Sequence, residues 1–281
     1  MLRRDIIILS DKQPNLGVAE ELSMSDKPVV ENITQTFYDS MASQYDQFYP
    51  DWDKATYEEA KFLRCIIEEY GFDVSARILD CACGIGTQAI GLSALGYSVT
   101  GSDISACELE EAKRRAAERS VSVCFRQADF RALSDAFDEP FEIIIAMDNA
   151  LPHMLTSADL KQAIRSITGQ LCDGGLFVAS IRDYDRMLQE KPAYSAPYVH
   201  KTEHGQRVLF QTWDWAGENY KFIQYIIDDA ETTQISRFAC EYRATRREEI
   251  TALLRACGCR EVVWKMPGET GFYQPVVIAV K

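Results

Sequence analysis

No apolar stretch in this 281-residue chain reaches the roughly 20 residues of a membrane-spanning helix, so a helical span is not expected. Basic residues are also scarce: 30 Lys and Arg stand against 43 Asp and Glu, a formal net charge of −13. A surface of that sign repels phosphate backbones, and no run of Lys and Arg is long enough to offset it, which disfavours nucleic acid as a partner. The basic cluster Lys113-Arg114-Arg115 sits among Glu108, Glu110 and Glu111 on a predicted helix and reads as a solvated face. Metal-ligand spacing is missing too. The C-x-C pairs Cys81/Cys83 and Cys257/Cys259 are narrower than zinc sites favour, and no metal is expected. Nine cysteines are an odd number, several fall inside predicted strands and helices, and no export signal accompanies them, so reduced thiols and a cytoplasmic location are expected. The opening Met1 to Ser10 has two arginines and a short apolar run, but that run falls below the ~7 residues of a signal sequence and no small-residue cleavage site follows.

What the chain does contain is the composition of an ordinary globular protein, 47% apolar and 26% charged, with length enough for one large domain carrying an insertion. Its organising stretch is Ala76 to Gln88. A short apolar run ends in Asp80, the glycines Gly84 and Gly86 follow, and a helical pattern runs from Ala89 to Leu95: strand, tight turn, helix. Glycines let a backbone approach a ligand closely, and the helix beyond them offers unpaired N–H groups. Asp80 stands where a dinucleotide site wants pyrophosphate. An acid there repels phosphate and suits an ammonium, such as the methionine end of S-adenosylmethionine. The next strand runs from Tyr97 into Asp103, an acid about 20 residues past the turn and so placed to accept ribose hydroxyls. NAD sites use the same device, so Asp103 by itself leaves the cofactor open.

Asp80-x-Ala82-Cys83-Gly84-x-Gly86, Asp129-Phe130, Asp148-Asn149 with His153, and Ile181-Arg182-Asp183-Tyr184-Asp185 together resemble a class I S-adenosylmethionine-dependent methyltransferase. Within that superfamily the chain is most similar to glycine N-methyltransferase and the bacterial glycine/sarcosine enzymes, over roughly residues 36 to 281. Ala82 departs from the first glycine of many relatives. The resemblance implies S-adenosylmethionine as cofactor and S-adenosylhomocysteine as product. It implies a cofactor site at Tyr38, Tyr45, Asp80, Ala82, Gly84, Gly86, Asp103, Ile104, Asp129, Phe130 and Met147. Tyr38 and Tyr45 are the candidates for the aromatic side chain that the family's N-terminal segment sets near the methionine end. Asp129 is a candidate acceptor for the adenine amino group, with a turn cap before Arg131 as its alternative. Arg182 matches the arginine that holds an amino acid carboxylate, since a guanidinium grips a carboxylate through two parallel hydrogen bonds. An ion pair with Asp148 is its structural alternative. Asn149 is expected to orient the amine through its side-chain or its backbone carbonyl, and His153 is more simply a packed histidine than a base.

The expected fold is α/β: a Rossmann-like, mostly parallel seven-stranded sheet with helices on both faces, an N-terminal helical lid and an inserted antiparallel β ribbon. Residues 1–30 read as a loosely ordered tail, with Met24 a candidate start, and 31–75 as the aromatic-rich lid. Residues 76–185 and 243–281 form the cofactor domain. Alternating stretches around His204-Gly205, Gly217-Glu218-Asn219 and Asp228-Asp229 make 186–242 the antiparallel insertion, a substrate wall or an oligomer contact. Helix Arg246 to Ala256 is expected to be capped by Thr245 with Glu248, ending at Gly258. The expected reaction is methyl transfer to a small molecule, the amine of glycine, sarcosine or a similar carboxylated amine. The alternatives are an O-methyltransferase of a sugar or natural product and a non-catalytic cofactor-binding module. Homo-oligomerisation stays open at this point.

Overall fold

A computed structural model describes residues 33–281; the expectations for residues 1–30 and for Met24 fall outside them. The sequence pattern resolves into a seven-stranded sheet. In chain order its strands are β1 (Arg77–Asp80), β2 (Ser98–Asp103), β3 (Cys124–Gln127), β4 (Phe141–Ala146), β5 (Leu171–Ser180), β10 (Glu261–Lys265) and β11 (Val276–Val280). Their spatial order is β10-β11-β5-β4-β1-β2-β3. β5, β4, β1, β2 and β3 are parallel, and β11 runs antiparallel to both β5 and β10. Strand order reverses between β1 and β4, the place where open α/β sheets bind ligands beyond the carboxyl ends of their strands.

Side chains alternate through the sheet and feed two cores. Leu79, Ile144, Phe177 and Val277 face one layer; Ile78, Ile143, Ile145 and Val178 face the other. Helices α2 (Trp52–Glu69), α3 (Thr87–Ala94) and α4 (Ala106–Glu118) cover the second of these, and α5 (Ser157–Gly169) and α7 (Arg247–Ala256) the first. Ahead of α2 come α1 (Ile33–Met41) and a 3-10 turn at Ala42–Phe48. The cap of α2 is Asp51, whose side chain accepts from the Lys54 N–H.

A second sheet, wholly antiparallel, follows the short α6 (Tyr184–Glu190): β6 (Tyr198–Thr202), β7 (Gly205–Ala216), β8 (Asn219–Asp229) and β9 (Thr233–Arg243) in that order. Gly217, at φ 70, supplies the left-handed residue of the β7–β8 hairpin. Leu209, Phe222, Phe238 and Tyr242 from this sheet pack with Phe37 and Met41 of α1 in the first core, so α1 is seated on β9 and β8.

Three local expectations differ from the structure. The apolar run from Val121 to Arg126 predicts the third strand, which starts instead at Cys124. β5 begins at Leu171, ahead of Gly174-Gly175, and bulges there, since its register against β4 jumps between Phe141↔Leu171 and Ile143↔Leu176. Thr245 does not cap α7. Its hydroxyl donates back to the Arg243 carbonyl, Arg246 takes the cap position without a side-chain cap bond, and the Arg247 N–H donates to Asp185 Oδ2 at 3.4 Å. A short helix, α8 (Pro267–Thr270), precedes β11. No helix among the described residues is long and apolar enough to cross a membrane.

Candidate active site

The turn after β1 is held by its own backbone: the Cys83 N–H donates to Ser102 O and the Gly86 N–H to Cys83 O, at 3.0 and 2.7 Å. Gly84 and Gly86 sit at φ 49 and 90, where L side chains are strained. Asp103, at the end of β2, locks this turn to the next. Its Oδ2 accepts from the Gly84 N–H and its Oδ1 from the Ser105 N–H, both at 2.9 Å.

Around this turn opens a cleft with about 870 Å³ of empty space, open solvent at its mouth included. Ala82, Gly84, Asp103, Ile104 and Met147 line it from the strand ends. Asp129 and Phe130 line it beyond β3, and Tyr38 and Tyr45 from the N-terminal segment. Two expected residues do not. Gly86 caps α3 and packs inward, where an added Cβ would stand 2.8 Å from Ile90. Asp80 is fully buried beneath the turn and does not line the cleft; neither oxygen has a partner in hydrogen-bond geometry. Burial raises the Asp80 pKa well above the ordinary carboxyl range, the Asp103 and Asp148 charges push the same way, and the Ala82 and Ala89 amides oppose them. Asp129 takes its alternative role: its side chain caps the following 3-10 turn and grips Arg131 at 2.6 Å.

The cleft is an anionic one. Asp103, Glu108 and Asp148 line it, and among the described residues its one arginine or lysine, Arg131, is committed to Asp129. That charge fits S-adenosylmethionine, with its sulfonium and ammonium, and does not fit a pyrophosphate-bearing dinucleotide. Glu108 is a site residue that sequence reading assigned to a solvated helix face. It is 1% exposed, lies under Gly84, and its Oε1 has no partner. Burial, then Asp103 and Asp39, raises its pKa. The signal that marks it is Ser105 three residues earlier, whose hydroxyl accepts the Glu108 N–H and fixes the first turn of α4.

A second cleft, with about 1710 Å³ of empty space, shares Tyr38, Tyr45 and Asp148 with the first. Asn149 and Arg182 both line it. Asp148 and Asn149 are left-handed, at φ 56 and 73, and Ser180 holds both: its hydroxyl accepts the Asp148 N–H and its carbonyl the Asn149 N–H. The Asn149 Oδ1 accepts the Arg182 N–H at 3.1 Å, which fixes the amide orientation and leaves the buried Nδ2 as an unpaired donor. The free side-chain group at Asn149 is therefore a donor, and of the two carbonyls expected to orient an amine only the side-chain one is taken up by Arg182.

Arg182 does not pair with Asp148. Its guanidinium donates to Gln211 Oε1 at 3.1 Å and Tyr220 OH at 3.4 Å, and lies 5.2 to 5.7 Å from the rings of Phe222, Trp213 and Tyr242. Among the described residues no carboxylate forms an ion pair with it. His153 lines the first cleft, its Nε2 2.7 Å from Tyr38 OH and its ring tilted at 37° to that of Tyr242, with centroids 4.3 Å apart. Burial, with Arg182 nearby, drops its pKa to about 3, so it is neutral and packed. The second cleft also takes residues that sequence reading did not pick: Glu59 from α2, Tyr273, Gln274, and Gln211, Trp213, Phe222 and Tyr242 of the second sheet.

Residues 78–175 match the family model described as a methyltransferase domain. A glycine/sarcosine N-methyltransferase of Parasynechococcus marenigrum is 26% identical over 159 residues, 57% of this chain and 55% of that protein. The chain thus spans little more than half the length of that relative. One of the same description from Halorhodospira halochloris is 25% identical over 217 residues, 77% of this chain and 78% of its own. An amino pentose methyltransferase from Micromonospora echinaspora, solved with S-adenosylmethionine bound, superposes with a TM-score of 0.66 at 18% identity, over 91% of this chain and 99% of its own.

Proposed function

We propose that this chain is an S-adenosylmethionine-dependent methyltransferase, and that it methylates the amine of a small carboxylated acceptor such as glycine or sarcosine; the match of residues 78–175 to a methyltransferase domain supports the first part of this reading. The observation that carries this reading is Arg182: a guanidinium at the carboxyl end of β5, boxed by aromatic rings, with no carboxylate of its own. Gln211 and Tyr220 orient it. The unpaired Asn149 Nδ2 stands beside it as a further donor. An acceptor carboxylate is the group this set lacks.

In the first cleft, Asp103 would accept the ribose hydroxyls while its bonds to Gly84 and Ser105 hold the turn in place. Ile104 and Phe130 would flank the adenine, with Ala82, Gly84 and Met147 along the chain toward the methionine end. When bound, the cofactor supplies an activated methyl group, so the residues here need to position, orient and exclude water rather than provide a strong base. Residues 31–75 serve as the lid in this reading, with Tyr38 and Tyr45 over the junction of the clefts, and 186–242 as the acceptor wall. Asp80 and Gly86 shape the turn from beneath.

A second reading is methylation of an amino sugar, favoured by a cleft far larger than glycine requires. The two part on the carboxylate. Turnover of a carboxylated amine should exceed that of its amide by at least about tenfold, and Arg182→Lys should lower kcat as well as acceptor binding, with cofactor affinity unchanged. Equal turnover of acid and amide by the wild-type protein would leave the sugar reading.

A further inference from the structure

The wall of the second cleft that Arg182 does not occupy carries two carboxylates without a cation. Glu59 from α2 is buried, and its Oε2 accepts from Gln88 Nε2 at 2.5 Å. The same Nε2 donates to Asp148 Oδ2 at 2.8 Å, so Gln88 spans the two acids. Asp148 Oδ1 accepts from Tyr273 OH at 2.5 Å, and Tyr49 OH approaches Oδ2 at 3.4 Å. Among the described residues no Lys, Arg or His pairs with either acid. Two carboxylates this close and this shielded need a compensating positive charge.

An independent feature points to a ligand there. Gln274, just before β11, is 6% exposed, lines the cleft, and its Oε1 has no partner. A buried carbonyl oxygen left unpaired costs free energy until a donor arrives. The surrounding walls are rings: Tyr45, Phe48, Tyr49 and Tyr273. Acceptor oxygens set among aromatic faces are the chemistry that holds an ammonium or alkylated ammonium. Asp148 and Tyr45 line both clefts, so this cation end lies at their junction.

We propose that Glu59, Asp148 and Gln274 form a cation-binding subsite for the nitrogen end of the acceptor, making the cleft a receptor for zwitterions. The inference rests on the acceptor reading of this cleft and not on Arg182. Glu59 supports it from another side: burial and the Asp148 charge raise its pKa to about 9, against the hydrogen bond from Gln88, so without a cation the pair holds a proton.

The test compares two ligands of one shape by calorimetry on the full chain: N,N,N-trimethylglycine, and 3,3-dimethylbutanoate, in which carbon replaces the charged nitrogen. Both carry the same carboxylate, so failure of the Arg182 reading would weaken them alike and leave their ratio intact. The expected preference for the cation is about tenfold or more. Glu59→Gln and Asp148→Asn should each cut it to within about threefold while the isostere is little affected. Tetramethylammonium, which has no carboxylate, should compete with trimethylglycine in the wild-type protein and in Arg182→Lys. Equal affinity of the two ligands, no detectable binding of the cation, or a preference unchanged in both variants overturns the proposal. The wild-type ratio decides it even where a variant does not fold.

Discussion

Asp103 does two things with one carboxylate: it ties the turn after β1 to the turn after β2, and it keeps lone pairs facing the cleft. Asp103→Ala should therefore weaken S-adenosylmethionine by about 1.5–3 kcal/mol, the worth of hydrogen bonds to a charged group, and Asp103→Asn by less. Calorimetry measures both. Unchanged affinity in the alanine variant would remove the ribose role. Asp103, Ala82 and Gly84 were legible because a strand, a turn and a helix lie within a few residues of one another. Asp148 stood in the Asp148-Asn149 motif, but that Glu59 and Gln274 line the same cleft was not legible, since three separate segments meet there and no spacing encodes it. The partners of Arg182 were hidden for the same reason: Gln211 and Tyr220 come from strands 29 and 38 residues further on. Asp80 ends β1 as the motif expects, and its complete burial is a property of packing that the motif does not state.

At the scale of elements, the crossing of α2 on α3 sets the distance between Glu59 and Gln88. Gly91, in the middle of α3, makes that crossing close: an added Cβ would stand 2.5 Å from the Thr56 carbonyl oxygen and 2.8 Å from the Ala60 Cβ. In an open helix, Gly→Ala gains roughly 1 kcal/mol of propensity. Overpacking against fixed backbone costs about 1–3 kcal/mol, so the clash should win and Gly91→Ala should be less stable than wild type. A lower melting temperature, with weakened trimethylglycine binding as α2 shifts, is the expected result; a stabilised variant would show that α2 yields freely. The succession of strands along the chain was readable from apolar runs and turn residues, and the hairpins of the second sheet turn at the expected His204-Gly205 and Gly217-Glu218-Asn219 and close after Asp228-Asp229. Helix ends were less so. Thr245 and Glu248 have the spacing of a capping box, yet the Thr245 hydroxyl finds a backbone carbonyl behind it first.

For the molecule as a whole, the acids gathered at the sheet edge make stability depend on pH in an unusual direction. Most proteins lose stability in acid because paired carboxylates must take up protons. Here the Glu59 pKa is pushed up to about 9, by burial first and the Asp148 charge second, while Asp80, Asp103 and Glu108 are raised too, each chiefly by burial. A carboxyl whose pKa is higher folded than unfolded binds its proton more tightly in the native state. Its favourable contribution is complete below the unfolded value near 4.5 and drains away as pH rises toward 9. The effect of Glu59 is separable, because Glu59→Gln keeps the shape and carries no proton to lose. Near pH 4.5 the variant and wild type should melt at similar temperatures, and the variant should gain on wild type steadily up to pH 9. His153 works the opposite way, held neutral with a pKa of about 3, and would destabilise both proteins equally below pH 6.5. Melting curves collected across this range for the two proteins give the difference directly. Parallel curves from pH 5 to 9 would mean that Glu59 is ionised in the native state, and that the acid pair is balanced by something other than a shared proton.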